Sequence, residues 1–168
     1  MSERVREVEE SLAVPSAPAA VHAALADVRR MKERSPEVIW TWRRGNSFVG
    51  VNRRACWVWF TTCRIVIDDP GREFAFDVTT FGLPVARWGY RLTPAGEGTL
   101  VTEYWRDHRR RGWRGRTAEM LGLVFTGTPA GRRAARNRDG MRTTLLRLRA
   151  ECREADAGPP GAVDTDTS

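Results

Sequence analysis

The stretch Ala86-Arg87-Trp88-Gly89-Tyr90-Arg91-Leu92-Thr93-Pro94-Ala95-Gly96-Glu97-Gly98-Thr99-Leu100-Val101-Thr102-Glu103-Tyr104-Trp105-Arg106-Asp107 decides how this chain is read. In its first half Ala86, Trp88, Tyr90 and Leu92 alternate with Arg87 and Arg91. Period two marks a half-buried strand, because successive side chains point to opposite faces of a sheet. Pro94-Ala95-Gly96 then supplies turn residues, a fixed φ and a position without Cβ. In the second half Val101, Glu103 and Trp105 alternate against Thr102, Tyr104 and Arg106. Two such strands on one short turn form an antiparallel hairpin.

The same period continues toward the amino terminus. Val38, Trp40 and Trp42 share a face; so do Trp57, Trp59, Thr61, Cys63 and Ile65, and so do Phe74, Phe76 and Val78. Opposite them stand Arg43, Arg64, Glu73 and Asp77. Burying an aromatic side chain removes ~150–250 Å² from water, worth several kcal/mol at about 25 cal/mol per Å². The aromatic rows are therefore expected to face inward. Strands are expected near Val38–Arg44, Phe48–Arg53, Trp57–Ile67, Glu73–Thr80, Ala86–Thr93 and Thr99–Asp107, with a first strand near Arg4–Val14. Pro15, Pro18, Pro36, Pro70, Pro84, Pro94 and Pro129 are expected between elements, where a missing N–H does least harm. A small-residue helix from Pro18 to Ala26, continued as a short second helix to Arg34, fills the gap after the first strand.

Beyond the hairpin lie a basic stretch, His108–Arg116, and a short apolar helix around Ala118–Phe125. Thr128 can cap a long helix with Pro129 at its first position, running to about Arg153. Met141, Leu145, Leu148 and Cys152 are spaced as a single apolar stripe. Extended backward, the stripe meets Asn137, Ala134 and Ala130, so this face becomes small and partly polar. A sheet lined with tryptophan opposite such a helix either closes as a filled aromatic core or leaves a ligand cavity.

The chain of 168 residues suits one domain, residues 1–155, followed by a polar tail rich in proline and glycine, 156–168. Apolar residues make up 41% and charged residues 29%, a globular composition. No apolar run approaches the ~20 residues that span a bilayer, and the amino terminus MSERVREVEE is charged, so a cytoplasmic protein is expected. The net charge is +7, and Lys32 is the one lysine among 28 cationic residues. Such a balance attracts anions, or else reflects arginines scattered over solvated faces. Cys56, Cys63 and Cys152 are too few and too scattered for a disulfide framework.

The order of a strand, two small helices, six strands and a long terminal helix resembles the START-like helix-grip fold. The local patterns resemble the polyketide cyclase/dehydrase-like branch of that SRPBCC superfamily. They are Gly45-x-x-Phe48-x-Gly50-x-Asn52 ahead of Trp57 or Trp59, and Asp69-Pro70-Gly71-Arg72-x-Phe74-Ala75-Phe76. Trp88-x-Tyr90-x-Leu92-x-Pro94, Gly98-Thr99-x-Val101-Thr102-Glu103 and Gly140-Met141-x-Thr143-Thr144-Leu145 continue the series. The match covers roughly Val5 to Glu154. It implies an α+β protein whose seven-stranded antiparallel sheet wraps around the terminal helix and holds a hydrophobic small molecule. It also implies cyclase-like chemistry on a polyketide-like substrate, or a non-catalytic lipid or metabolite carrier, with no metal or redox cofactor.

Glu103 and Tyr90 are the candidate catalytic residues. A carboxyl facing inward without a partner has its pKa raised by desolvation and can act as general acid or base, or anchor a ligand hydroxyl. If the strand's phase is reversed, or an arginine stands beside it, Glu103 is an ordinary ion-pairing residue. Trp40, Trp42, Phe48, Asn52, Trp59, Thr61, Phe76, Trp88, Trp105, Ala134, Asn137 and Met141 are the candidate ligand contacts. His22 reads as a surface or packing residue and Cys63 as an inert buried thiol. No serine lies in a G-x-S-x-G elbow, and no phosphate-binding glycine loop occurs. The arginines of 109–116, around Trp113, suit an anionic ligand, a carrier protein, an acidic membrane surface or RNA, or else a solvated loop.

Overall fold

The structure is a computed structural model that describes residues 7–108 and 130–157, with the side chains of 135–157 in the second stretch. Strand β1 (Glu7–Val14) is followed by α1 (Pro18–Ala26), a 3₁₀ turn (Val28–Arg30) and α2 (Met31–Arg34). Six strands come next: β2 (Val38–Arg44), β3 (Ser47–Arg54), β4 (Trp57–Asp69), β5 (Glu73–Thr80), β6 (Leu83–Ala95) and β7 (Gly98–Asp107). Helix α3 (Ala130–Ala157) closes the described chain. The strands form one antiparallel sheet in the order β1-β7-β6-β5-β4-β3-β2. Consecutive hairpins build it from β2 to β7, and β1 pairs with β7, so the first strand becomes one edge and β2 the other. Helix α3 packs against β1, β7, α1 and α2 and is gripped by the sheet.

The expected elements lie where the periodicity put them, with longer ends. Strand β6 begins at Leu83 and reaches Ala95, so Pro84 and Pro94 sit within its end residues rather than between elements. Val85 there is the extra residue of a register shift between Val78 and Thr79, and a bulge hides the alternation. Helix α3 runs past Arg153 to Ala157, into the stretch expected to be tail; Ser16 Oγ donates to Asp156 Oδ2 at 2.5 Å and ties that end down. The Ala118–Phe125 helix, the Thr128–Pro129 cap and the 109–116 arginines lie outside the described residues.

Strand β2 corrects the sequence reading. Val38 pairs with Asn52 and Trp40 with Val51, so Ile39 is an extra residue between them. A one-residue bulge reverses which side chains face the core beyond it. Val38 faces inward, but Trp40 and Trp42 face outward and are 50% and 53% exposed. Thr41 takes the inward place, its hydroxyl donating to the Val28 carbonyl at 2.8 Å. Arg43, expected outside, is half-buried and donates to the Ala26 carbonyl at 3.0 Å.

The inner face of the sheet holds the core, with Phe48, Ile65, Phe74, Phe76, Leu92 and Val101 packed against Val21, Leu25, Leu145 and Leu148. On the outer face of β7, Tyr104 is only 1% exposed. Its partner across the ladder is Gly89, where any Cβ would collide with the tyrosine ring. The guanidiniums of Arg91 and Arg106 cover the ring at 5.0 and 4.8 Å from its centroid, and its hydroxyl donates to Glu73 Oε1 at 2.6 Å.

Candidate functional site

The grip is not filled. A cavity of about 260 Å³ lies between the inner face of the sheet and α3. Its walls include Phe48, Trp59, Phe76, Val78, Trp88 and Trp105 from five strands, with Leu25 and Met31 from the short helices. Helix α3 contributes Arg136, Asn137, Gly140 and Thr144, a row at helical spacing. Gly140 leaves that row one side chain short, and a Cβ built there would have Pro36 Cγ at 4.0 Å as its nearest neighbour.

Alternation along β6 and β7 brings Tyr90 and Glu103 to one place. They are direct partners in the ladder, both buried, and the Tyr90 hydroxyl donates to Glu103 Oε1 at 3.2 Å. Glu103 is 2% exposed, and its Oε2 has no hydrogen-bond partner among the described residues. Burial pushes the carboxyl up to about 8, with the Tyr90 bond pulling weakly the other way. At neutral pH the acid is therefore mostly protonated, a donor rather than a charge. Burial also raises the Tyr90 phenol well above its ordinary value, helped by Glu103 and opposed by the positive charge of Arg34. Burial holds the Cys63 thiol at about 12, which leaves almost no thiolate.

A second polar group stands on β3 and β4. Asn52 Nδ2 donates to the Gly50 carbonyl at 3.3 Å and to Thr61 Oγ1 at 3.2 Å. Toward the cavity wall, Arg54 pairs with Glu37 at 3.0 Å. Arg34 is buried against the lining, its guanidinium donating to the carbonyls of Ala24 and Asp27 and standing 3.5 Å from Glu151.

Of the sequence candidates, Glu103, Tyr90, Phe48, Asn52, Trp59, Thr61, Phe76, Trp88, Trp105 and Asn137 line this one cavity. Trp40 and Trp42 do not, because the Ile39 bulge turns them to the outer face. Met141 does not either: it is buried against Val8, Ala86 and Trp105, one step round the helix from the Asn137–Gly140–Thr144 row. The side chain of Ala134 lies outside the described residues. Arg34, Gly50 and Thr144 belong to the lining without having been among the candidate contacts. Gly50 carried a signal, a glycine inside a strand where a side chain would normally pack. His22 packs edge-on against Phe74, 3.1 Å from Asp68 Oδ1, and is not part of the cavity wall.

A family model described as polyketide cyclase / dehydrase and lipid transport matches residues 5–153. The chain belongs to that family. No curated protein matches its sequence. Among solved structures, the Zhui aromatase/cyclase from Streptomyces sp. R1128 is 19% identical, with a TM-score of 0.67 over 92% of this chain and 99% of that one. The di-domain aromatase/cyclase StfQ of the steffimycin biosynthetic pathway is 18% identical with a TM-score of 0.66; the match covers 90% of this chain and 51% of that one. A START superfamily protein from Mycobacterium smegmatis is 9% identical, with a TM-score of 0.66 over 88% of this chain and 97% of that one. At these identities the likeness is one of fold, and this family member has the START-like helix-grip architecture. No helix among its described residues is long and apolar enough to cross a membrane.

Proposed function

We propose that this cavity binds an apolar small molecule of polyketide-like character and that Glu103, with Tyr90, moves protons within it. The observation that carries the reading is the buried Oε2 of Glu103, which has no hydrogen-bond partner among the described residues, on a carboxyl whose burial favours the protonated form. A ligand carbonyl in front of it accepts that proton. The resulting carboxylate takes a proton from the adjacent carbon, leaving an enol and restoring the acid. The Tyr90 hydroxyl, already directed at Oε1, stabilises the transient carboxylate through a charge-assisted hydrogen bond. Trp59, Phe76, Trp88 and Trp105 hold a flexible chain folded, so that the new enol meets a second carbonyl of the same molecule. Carbon–carbon bond formation followed by loss of water closes an aromatic ring, with Glu103 donating the proton that the departing hydroxyl needs and recovering one from the neighbouring ring carbon.

The test is incubation of the protein with a linear poly-β-ketone, following loss of water and the appearance of aromatic absorbance. Glu103→Gln keeps the shape but exchanges no proton, so turnover is expected to fall about 10²–10⁴-fold while displacement of an apolar dye persists. A carrier would return the ligand unchanged with both proteins, and the glutamine variant would alter affinity alone.

A further inference from the structure

Two polar groups of the cavity lining have opposite hydrogen-bonding characters. Glu103 and Tyr90 on β7 and β6 form one; Asn52 and Thr61 on β3 and β4 form the other, with Phe76 and Val78 of β5 between them. At the second pole Asn52 is 8% exposed. Its amide orientation is settled by Gly50, whose carbonyl only accepts and therefore must face Nδ2. Nδ2 is used twice, on Gly50 and on Thr61. Oδ1 consequently points away from both, and no described residue donates to it. Gly50 keeps this corner open, since a Cβ there would stand 3.0 Å from Thr61 Oγ1. Oδ1 is thus an acceptor left open on a residue of the cavity lining, where a ligand donor can reach it.

We infer that the ligand carries a hydroxyl or phenol at the end remote from its carbonyl and that Asn52 Oδ1 receives it. This rests on the reading that a ligand carbonyl meets Glu103. The neutral acid presents a donor at one end, the asparagine an acceptor at the other, and the space between is apolar. A hydroxylated aryl ketone satisfies both poles at once. A fatty-acid head satisfies one pole only: ionised, it accepts from the neutral Glu103 but has no donor for Asn52.

Three probes separate the possibilities by titration calorimetry on the intact protein: flavone, 4′-hydroxyflavone and 4′-methoxyflavone. The ketone is common to all; only the second can donate from the far ring. We expect 4′-hydroxyflavone to bind about three- to tenfold tighter than either of the others, the range of one net hydrogen bond. In Asn52→Leu that preference should vanish, whatever change in affinity the three probes share. If Asn52→Leu does not fold, the comparison of hydroxy with methoxy on the wild-type protein still decides. Equal affinities of the three probes, or a methoxy compound as tight as the hydroxy one, overturn this inference and leave the cavity reading standing. Failure of all three to bind removes both.

Discussion

Strands β7 and β2 carry their unusual residues in opposite directions. Strand β7 lies inside the sheet order, covered by α3, and places a carboxyl among tryptophans. Strand β2 is an edge, and two tryptophans stand on its outer surface. The outer face of β7 differs again, since Tyr104 is buried there by Gly89, Arg91 and Arg106, and nothing comparable among the described residues covers Trp42. Side-chain polarity alone thus does not say which residues are inside. What decides is the number of neighbours that the ladder and the helix bring to each position.

The largest expected difference is between two tryptophan truncations. Trp105→Ala should lower stability by about 3–5 kcal/mol, because it empties a packed site against Val8, Ala86 and Met141. Trp42→Ala should change it by no more than about 0.5 kcal/mol. Urea unfolding of the pair checks this, and comparable losses would mean that β2 is turned the other way.

Glu103 comes next. Its pKa is raised from 4.5 to about 8 on folding, so between these values the folded protein holds a proton that the unfolded chain has lost. The group's contribution to stability therefore falls as pH rises through that window, by at most about 1.4 kcal/mol per pH unit. Glu103→Gln should remove this slope, gaining on the wild type from acid toward pH 8. Parallel curves of stability against pH would mean that the carboxyl is paired or hydrated.

A smaller effect tests the cover on β7. Gly89→Ala forces the Tyr104 ring out from between its two arginines, and a loss of about 1–3 kcal/mol is expected, the range for overpacking. Tyrosine fluorescence and thermal melting report it together. The smallest concerns the bulge. Deleting Ile39 should leave a regular strand with Val38 inward and Trp40 and Trp42 outward, at a loss of about 1 kcal/mol or less. Acrylamide quenching of the tryptophans should be unchanged; protection from quencher would mean that the bulge does not set their direction.

Most of the candidate site was legible because it lies on strands whose alternation is unbroken. Along Val101, Glu103 and Trp105 the period assigns a face to every residue, and a single glutamate among apolar partners is visible at once. Asn52 and Thr61 were accessible for the same reason, as direct neighbours of Trp59 and Gly50 in regular pairs. Trp40 and Trp42 were misplaced because Val38-Ile39-Trp40-Thr41-Trp42 contains only good strand formers. No glycine or proline marks the extra residue, and the phase of a bulged strand depends on its partner's register. Arg34 gave no signal, since its burial comes from carbonyls of Ala24 and Asp27 that only the turn between α1 and α2 assembles.

Local pattern by itself determined the strands, the hairpin order and the apolar stripe that ends in Leu148 and Cys152, and it put Glu103 in one row with Val101 and Trp105 while leaving open which way that row faces. These are short-range consequences of two- and 3.6-residue periods, which repeat whatever lies across the core. The tertiary structure alone decided that the cavity stays open, that Gly140 rather than Met141 faces it, and that Asn52 keeps one oxygen without a donor among the described residues. Each depends on how far one element is rotated or displaced against another. A helix turned by one residue, or a strand slipped by one pair, keeps the same pattern and exchanges the side chains that meet.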